Sequence, residues 1–208
     1  MMQNKKVIVI TGSIGTGKST AVNIIKELGF IVLDSDKIVH EGYNKDSELY
    51  YNVIKHFGKE ILNEDETINR YKLGKIVFND KERIKELNHI SHAYVIEKLM
   101  KGVEESEADV IFLDIPLILE ALNEEKEYGL KFDEIWLIYV NPVIQVKRLT
   151  QRAIDENKCI EDVLEIINNQ IPIDEKVAMV DEVIDNEGTI EELKLKIKKL
   201  LQKKRIGW

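Results

Sequence analysis

The chain has 208 residues, 44% hydrophobic and 33% charged, with a net charge of −8 and a single cysteine, Cys159. That length supports one sizeable core with room for insertions, and the acidic balance argues against a dominant nucleic-acid surface. The longest apolar run, residues 135–140, is far too short to span a bilayer, no leader-like segment precedes the first strand pattern, and one cysteine makes no internal disulfide, so the expectation is a soluble cytoplasmic protein without membrane or nucleic-acid partners.

The first predicted element is a strand over Lys6–Thr11, with four β-branched residues in succession and no alternation. Parallel strands covered on both faces read this way. The strand runs into a glycine-rich turn, and a helical pattern follows over 17–28. Gly12, Gly17, Lys18 and Ser19 match G-x-x-x-x-G-K-[ST]. The glycines let the backbone wrap an oxyanion, so that successive N–H groups and the helix N-terminus point at phosphate. A lysine at that position reaches the β and γ oxygens, and the Ser19 hydroxyl is placed to ligate Mg²⁺. The turn therefore predicts a nucleoside triphosphate site.

A second strand over 30–34 ends in Asp34-Ser35-Asp36, two carboxylates at the sheet edge where open α/β sheets hold ligands. Asp34 reads equally well as the N-cap of the next helix, which leaves Asp36 as the stronger site residue. From 41 to 107 no buried strand is evident, only helical pieces such as 47–57 and the long 80–101. The third strand, Val110–Asp114, is four apolar residues and then a carboxylate, in the manner of a Walker B strand whose aspartate holds Mg²⁺ or its waters. A fourth strand over 134–140 leads into a helix over 142–152 carrying Lys147, Arg148 and Arg152. The two arginines share a face at i, i+4, either as a solvated basic surface or as cations for a transferring phosphoryl group. The chain from 150 to 178 is helical and polar, with Pro172 as its breaker, before a fifth strand at Glu182–Asp185 and a final helix over 189–201. The lysines of that last helix suit its C-terminal turns and are read as a solvated face.

The alternation of strands and helices predicts an α/β fold, one domain over 1–208 with helical insertions at 41–107 and 150–178. Guanine-nucleotide switches need N-K-x-D, and neither Asn44-Lys45-Asp46-Ser47 nor Asn157-Lys158-Cys159-Ile160 fits. Motor ATPases use more chain. A small-molecule kinase needs an acceptor pocket and a cationic lid, which two insertions can supply. A kinase for a nucleoside or nucleoside monophosphate, and a regulatory module that binds ATP without transfer, remain alternatives.

Thr-Gly-Ser-Ile-Gly-Thr-Gly-Lys-Ser-Thr (11–20), Asp-Ser-Asp (34–36), Ile-Asn-Arg (68–70) with Leu-Gly-Lys-Ile-Val-Phe-Asn (73–79), Asp-Ile-Pro-Leu-Ile-Leu-Glu (114–120) and Val-Ile-Asp-Asn-Glu-Gly (183–188) fall in order along the chain. Together they resemble the dephospho-CoA kinase family. The resemblance implies a P-loop three-layer α/β/α core with a five-stranded parallel sheet, a substrate-binding region over 41–107 and a lid over 150–178. It implies transfer of the γ-phosphoryl of ATP, with Mg²⁺, to the ribose 3′-hydroxyl of dephospho-CoA, by a monomer or small homo-oligomer. It makes Asp36 the general base, with Lys18 and Arg148 serving the transfer. ATP would be held by Gly12, Gly15, Thr16, Gly17, Lys18, Ser19, Thr20, Arg148 and Arg152, with Ser19 and Asp114 on the metal. The acceptor pocket would draw on Asp36, Arg70, Phe78, His92, Asp114, Pro116 and Leu117. The chain departs from the family pattern at Ser13, where a second glycine is usual, at Ala93, where a proline is usual, and at Glu165, where a basic or polar residue is common.

Overall fold

A computed structural model describes residues 5–78 and 80–207. The chain opens with β1 (Lys6–Thr11), α1 (Lys18–Glu27) and β2 (Ile31–Asp34), then runs through α2 (Ser35–Gly42), α3 (Glu48–Phe57), α4 (Arg70–Val77) and α5 (Lys81–Glu105). It returns to β3 (Val110–Asp114), α6 (Ile118–Glu127), β4 (Glu134–Tyr139), α7 (Pro142–Asp155), α8 (Ile160–Asn168), α9 (Ile173–Lys176), β5 (Glu182–Asp185) and α10 (Ile190–Lys203). The strands form one five-stranded parallel sheet in the order β2-β3-β1-β4-β5. Helix α5 runs past the expected 101, through Gly102, to Glu105.

Chain contacts divide the protein into two compact units. The first takes the chain up to Leu33, Glu105–Asn123 and everything from Lys131 onward; the second is Asp34–Glu104 with Glu124–Leu130. The second therefore begins before the expected insertion at 41 and also takes in the end of α6.

In the first unit, β1 lies at the centre of the sheet, where Val7, Ile8, Val9 and Ile10 are all buried. That burial on both faces explains the unbroken β-branched run. Ile8 and Ile10 join Phe112 of β3, Trp136 and Ile138 of β4, Ile184 of β5 and the inner faces of α1 and α10 in one core. Phe112 stacks edge-on with Phe30 and Trp136 at centroid distances of 5.4 and 5.5 Å. Helix α10 starts on a capping box, Thr189 Oγ accepting from Glu192 N–H and Glu192 accepting from Thr189 N–H. Its lysines are largely engaged within the fold: Lys194 with Glu27, Lys196 with Asp185, Lys203 with Glu182, and Lys204 with both Glu134 and Glu182.

The second unit packs Leu49, Val53 and Phe57 of α3 against Ile61 and against Leu73 and Val77 of α4. Ser47 caps α3 and Asn69 caps α4, accepting from Tyr50 N–H at 3.1 Å and Lys72 N–H at 3.0 Å. Apart from Asp34 at the end of β2, the only β pairing among its described residues is one isolated bridge, Leu62 to Ile68.

Candidate active site

The phosphate-type turn leaves the end of β1 and is shaped by glycine where a side chain has no room. Gly15 and Gly17 both have φ near 82°, in the left-handed region. A Cβ on Gly15 would meet Leu149 at 2.7 Å, and one on Gly17 would run into the Asn186 amide. Between them Thr16 folds back, its N–H and hydroxyl both donating to the Ser13 carbonyl at 3.2 and 2.8 Å. Gly17 offers no side chain to cap α1, so the opening amides of that helix are not capped by its own N-cap residue. Such amides, with the positive end of the helix dipole, form an anion site.

Charged groups converge here from elements far apart in sequence. The Lys18 ammonium pairs with the Asp114 carboxylate at the end of β3, both side chains nearly enclosed. Arg148, half-buried on α7, donates to the Asn186 carbonyl at 2.9 Å and flanks Gly17. Asn186, just past β5, donates from its side-chain amide to the Thr16 carbonyl at 2.8 Å. Gln145 in the first turn of α7 donates to the Ile14 carbonyl at 2.8 Å, and Gln170 accepts from Ile14 N–H at 3.3 Å. Gly12, Gly15, Thr16, Gly17, Lys18, Ser19, Thr20, Asp114 and Arg148 thus share one region of the first unit, with the Ser19 side chain exposed.

Arg152 lies one turn beyond Arg148. It is exposed and donates to Glu156 at 2.7 Å. Lys158 and Arg152 together hold the Glu156 carboxyl down at about 2. Pro116 spends its carbonyl on the Thr11 hydroxyl at 2.9 Å, tying the loop after β3 to the end of β1, and Leu117 is exposed.

The remaining candidate residues belong to the second unit. Asp34 accepts from Lys37 N–H at 3.0 Å and is the N-cap of α2, so its carboxylate serves the helix. Asp36 follows in the first turn, exposed. Arg70 opens α4, 3.3 Å from His40 Nδ1, with its guanidinium over the Tyr43 ring. Phe78 is 80% exposed, with an edge of its ring close to Gly74. His92 is half-buried on α5. Sequence reading did not single out Gln145 or Gln170, since glutamine carries no motif spacing; Asn186 lay inside a quoted family stretch without a role.

A central parallel sheet, an uncapped helix behind a glycine turn, and a lysine, an arginine and a strand-end aspartate around it define a P-loop kinase. The model of the family described as CoaE, dephospho-CoA kinase, matches residues 6–192. Dephospho-CoA kinase from Carboxydothermus hydrogenoformans is 42% identical over 200 residues, covering 95% of this chain and 93% of the relative. Among solved structures, TT1252 from Thermus thermophilus superposes with a TM-score of 0.77 at 28% identity, covering 96% of this chain and 98% of that one. Dephospho-CoA kinase from Campylobacter jejuni gives 0.61 at 27% identity, covering 96% and 97%. The chain belongs to the dephospho-CoA kinase family.

Proposed function

We propose that this protein transfers the γ-phosphoryl group of ATP to the ribose 3′-hydroxyl of dephospho-CoA, yielding coenzyme A and ADP in the cytoplasm. The observation that carries this reading is the Lys18 ammonium at the mouth of an uncapped helix, with Arg148 beside the same turn. The triphosphate lies on the turn, and its charge draws Lys18 away from Asp114. Phosphoryl transfer passes through a loose transition state, so the protein's task is to position the two oxygens in line and neutralise spreading charge. Lys18 and Arg148 do this, with Arg152 approaching when the α8 part of the region over 150–178 closes as a lid and excludes water. Asp36 takes the proton from the attacking 3′-hydroxyl. Arg70, Phe78 and His92 hold the acceptor, the first on its pyrophosphate and the aromatic ring on an apolar part.

The donor set fits magnesium. An exposed hydroxyl on Ser19 and one strand-end carboxylate on Asp114 suit an ion that keeps several waters and arrives with phosphate, and no cluster of three or more metal-ligating side chains occurs among the described residues. Bound there, the ion would supply further charge neutralisation.

The test is ADP release with dephospho-CoA, adenosine or AMP as acceptor, with products identified by mass. All three present a ribose 3′-hydroxyl, but only dephospho-CoA brings a pyrophosphate and a pantetheine arm. Its kcat/KM is expected to exceed the others by at least about tenfold, the worth of one good charge-assisted contact. Equal values for adenosine and dephospho-CoA would remove the acceptor assignment and leave a P-loop kinase.

A further inference from the structure

Residue 14, within the phosphate turn, is gripped on both sides by glutamines: Gln145 takes its carbonyl and Gln170 its N–H. Gln145 is packed into the first turn of α7, with 3% exposure, and needs no further support. Gln170 lies beyond the end of α8, a helix with no buried residue, so something else must hold it.

That support is a buried ion pair. Lys176 is completely enclosed, and its ammonium sits 2.6 Å from Glu120 Oε1, an ion pair by distance in which the ammonium makes no directed hydrogen bond. The same carboxylate oxygen accepts from Ile171 N–H at 3.3 Å. Between these anchors Ile173 is buried and Asp174 accepts from the Tyr139 hydroxyl at 2.7 Å. Glu120 itself stands in the first turn of α6, shortly after Asp114. Burying an ammonium costs several kcal/mol, and an apolar residue of similar volume is often as stabilising. A lysine here is therefore poorly explained by stability alone: its charge holds one short segment near one carboxylate, which also accepts from the Ile171 N–H.

We propose that Gln170 is a positioning residue for the phosphate turn, and that the Lys176–Glu120 pair is the mount that holds it. By fixing the Ser13–Ile14 peptide, Gln170 sets the curvature of the turn before ATP arrives, so that less ordering is left to binding. The inference rests on reading this turn as the ATP site and is independent of the acceptor.

The experiment measures the Kd for Mg·ATP by calorimetry without acceptor, then KM and kcat for both substrates, in Gln170→Leu, Gln170→Glu, Lys176→Met and Lys176→Arg. Loss of one neutral hydrogen bond predicts that Gln170→Leu weakens ATP about 3–10-fold, while the KM for dephospho-CoA changes less than about twofold. Gln170→Glu still accepts the N–H but sets a negative charge beside the triphosphate, so it should bind ATP more weakly than Gln170→Leu. Lys176→Met should weaken ATP in the same sense, and Lys176→Arg should restore it. An unchanged Kd in folded Gln170→Leu overturns the proposal. So does tighter ATP binding, which would make Gln170 a placeholder that phosphate displaces. A wild-type protein that ignores dephospho-CoA while Gln170→Leu still loses ATP affinity would sink the acceptor assignment and leave this inference standing.

Discussion

The Lys18 ammonium and the Asp114 carboxylate, 14% and 8% exposed, neutralise each other in a nearly closed place. Lys18→Ala should therefore do two things. It should abolish turnover, since the β and γ charges lose their partner. It should also destabilise the fold by about 3 kcal/mol, the usual cost of removing one member of a buried pair. ADP release and urea unfolding check the two effects separately, and Lys18→Ala with Asp114→Asn should recover stability without activity. A Lys18→Ala protein with wild-type urea midpoint would show that the pair carries no structural weight. Asp36 sits next to a capping aspartate but does not cap, being exposed in the first turn of α2. Asp36→Asn should lower kcat by roughly 10²–10⁴, the range of a general base, with ATP affinity kept. Collapse of ATP affinity in that variant would make Asp36 a magnesium ligand instead. Lys18 and Asp114 could be singled out in the sequence because phosphate chemistry dictates their type and their place beside a strand end, whereas Arg148 was singled out only through the family resemblance. The Lys18–Asp114 pairing was not legible, because nothing local links residues so far apart. Gln145 and Gln170 were invisible for a different reason: an amide that orients a peptide looks like any surface glutamine.

Helix α8 carries an apolar stripe at Ile160, Val163, Leu164 and Ile167, yet buries none of its residues. Helices α1 and α10, by contrast, each bury several side chains in the main core. Local opening follows such differences, because a helix without buried contacts gives up little when it unfolds. Amides of α8 should exchange with deuterium at least about tenfold faster than those of α1 and α10, as read by mass spectrometry. ATP should narrow the gap if the segment closes over the nucleotide. Equal protection in the free protein would mean that α8 is held by contacts other than burial. The elements themselves were read well where apolar runs had sharp ends: β1, β3 and β5 begin and stop at the expected residues. Helix ends were read less well, as at α7, which continues to Asp155 because nothing after Arg152 breaks it. The basic tail looked like a free surface on composition alone; in the fold, acidic residues of β4 and β5 take up much of its charge.

At the scale of the whole molecule, Glu134 ties the parallel sheet to its flanking chain. It accepts from Lys6 of β1 at 2.7 Å and from Trp136 Nε1 at 2.9 Å, and pairs with Lys204 at 2.9 Å. Burial pushes its carboxyl up, but these three donors outweigh that and hold it at about 2, against 4.5 for a free glutamate. The folded value lies below the unfolded one, so the stabilisation is complete above about pH 4.5 and fades as pH falls towards 2. The Tm of the wild type should therefore drop more steeply from pH 6 to 3 than that of Glu134→Gln; parallel profiles would count against it. The number of strands and their parallel sense were legible from buried β-branched runs. Their spatial order was not, because every buried run looks alike until side chains such as Phe112 and Trp136 choose neighbours. That order, with β1 in the middle, has a consequence for how the chain is made. Its first strand pairs with β3 and β4, Ile8 with Phe112 and Ile10 with Trp136. At ordinary translation speeds of about 5–20 residues per second, β1 is synthesised roughly 5–20 s before its first partner. Meanwhile the second unit, Asp34–Glu104 for most of its length, emerges with an apolar cluster of its own. The nascent chain thus carries an unpaired, highly apolar strand through much of its synthesis.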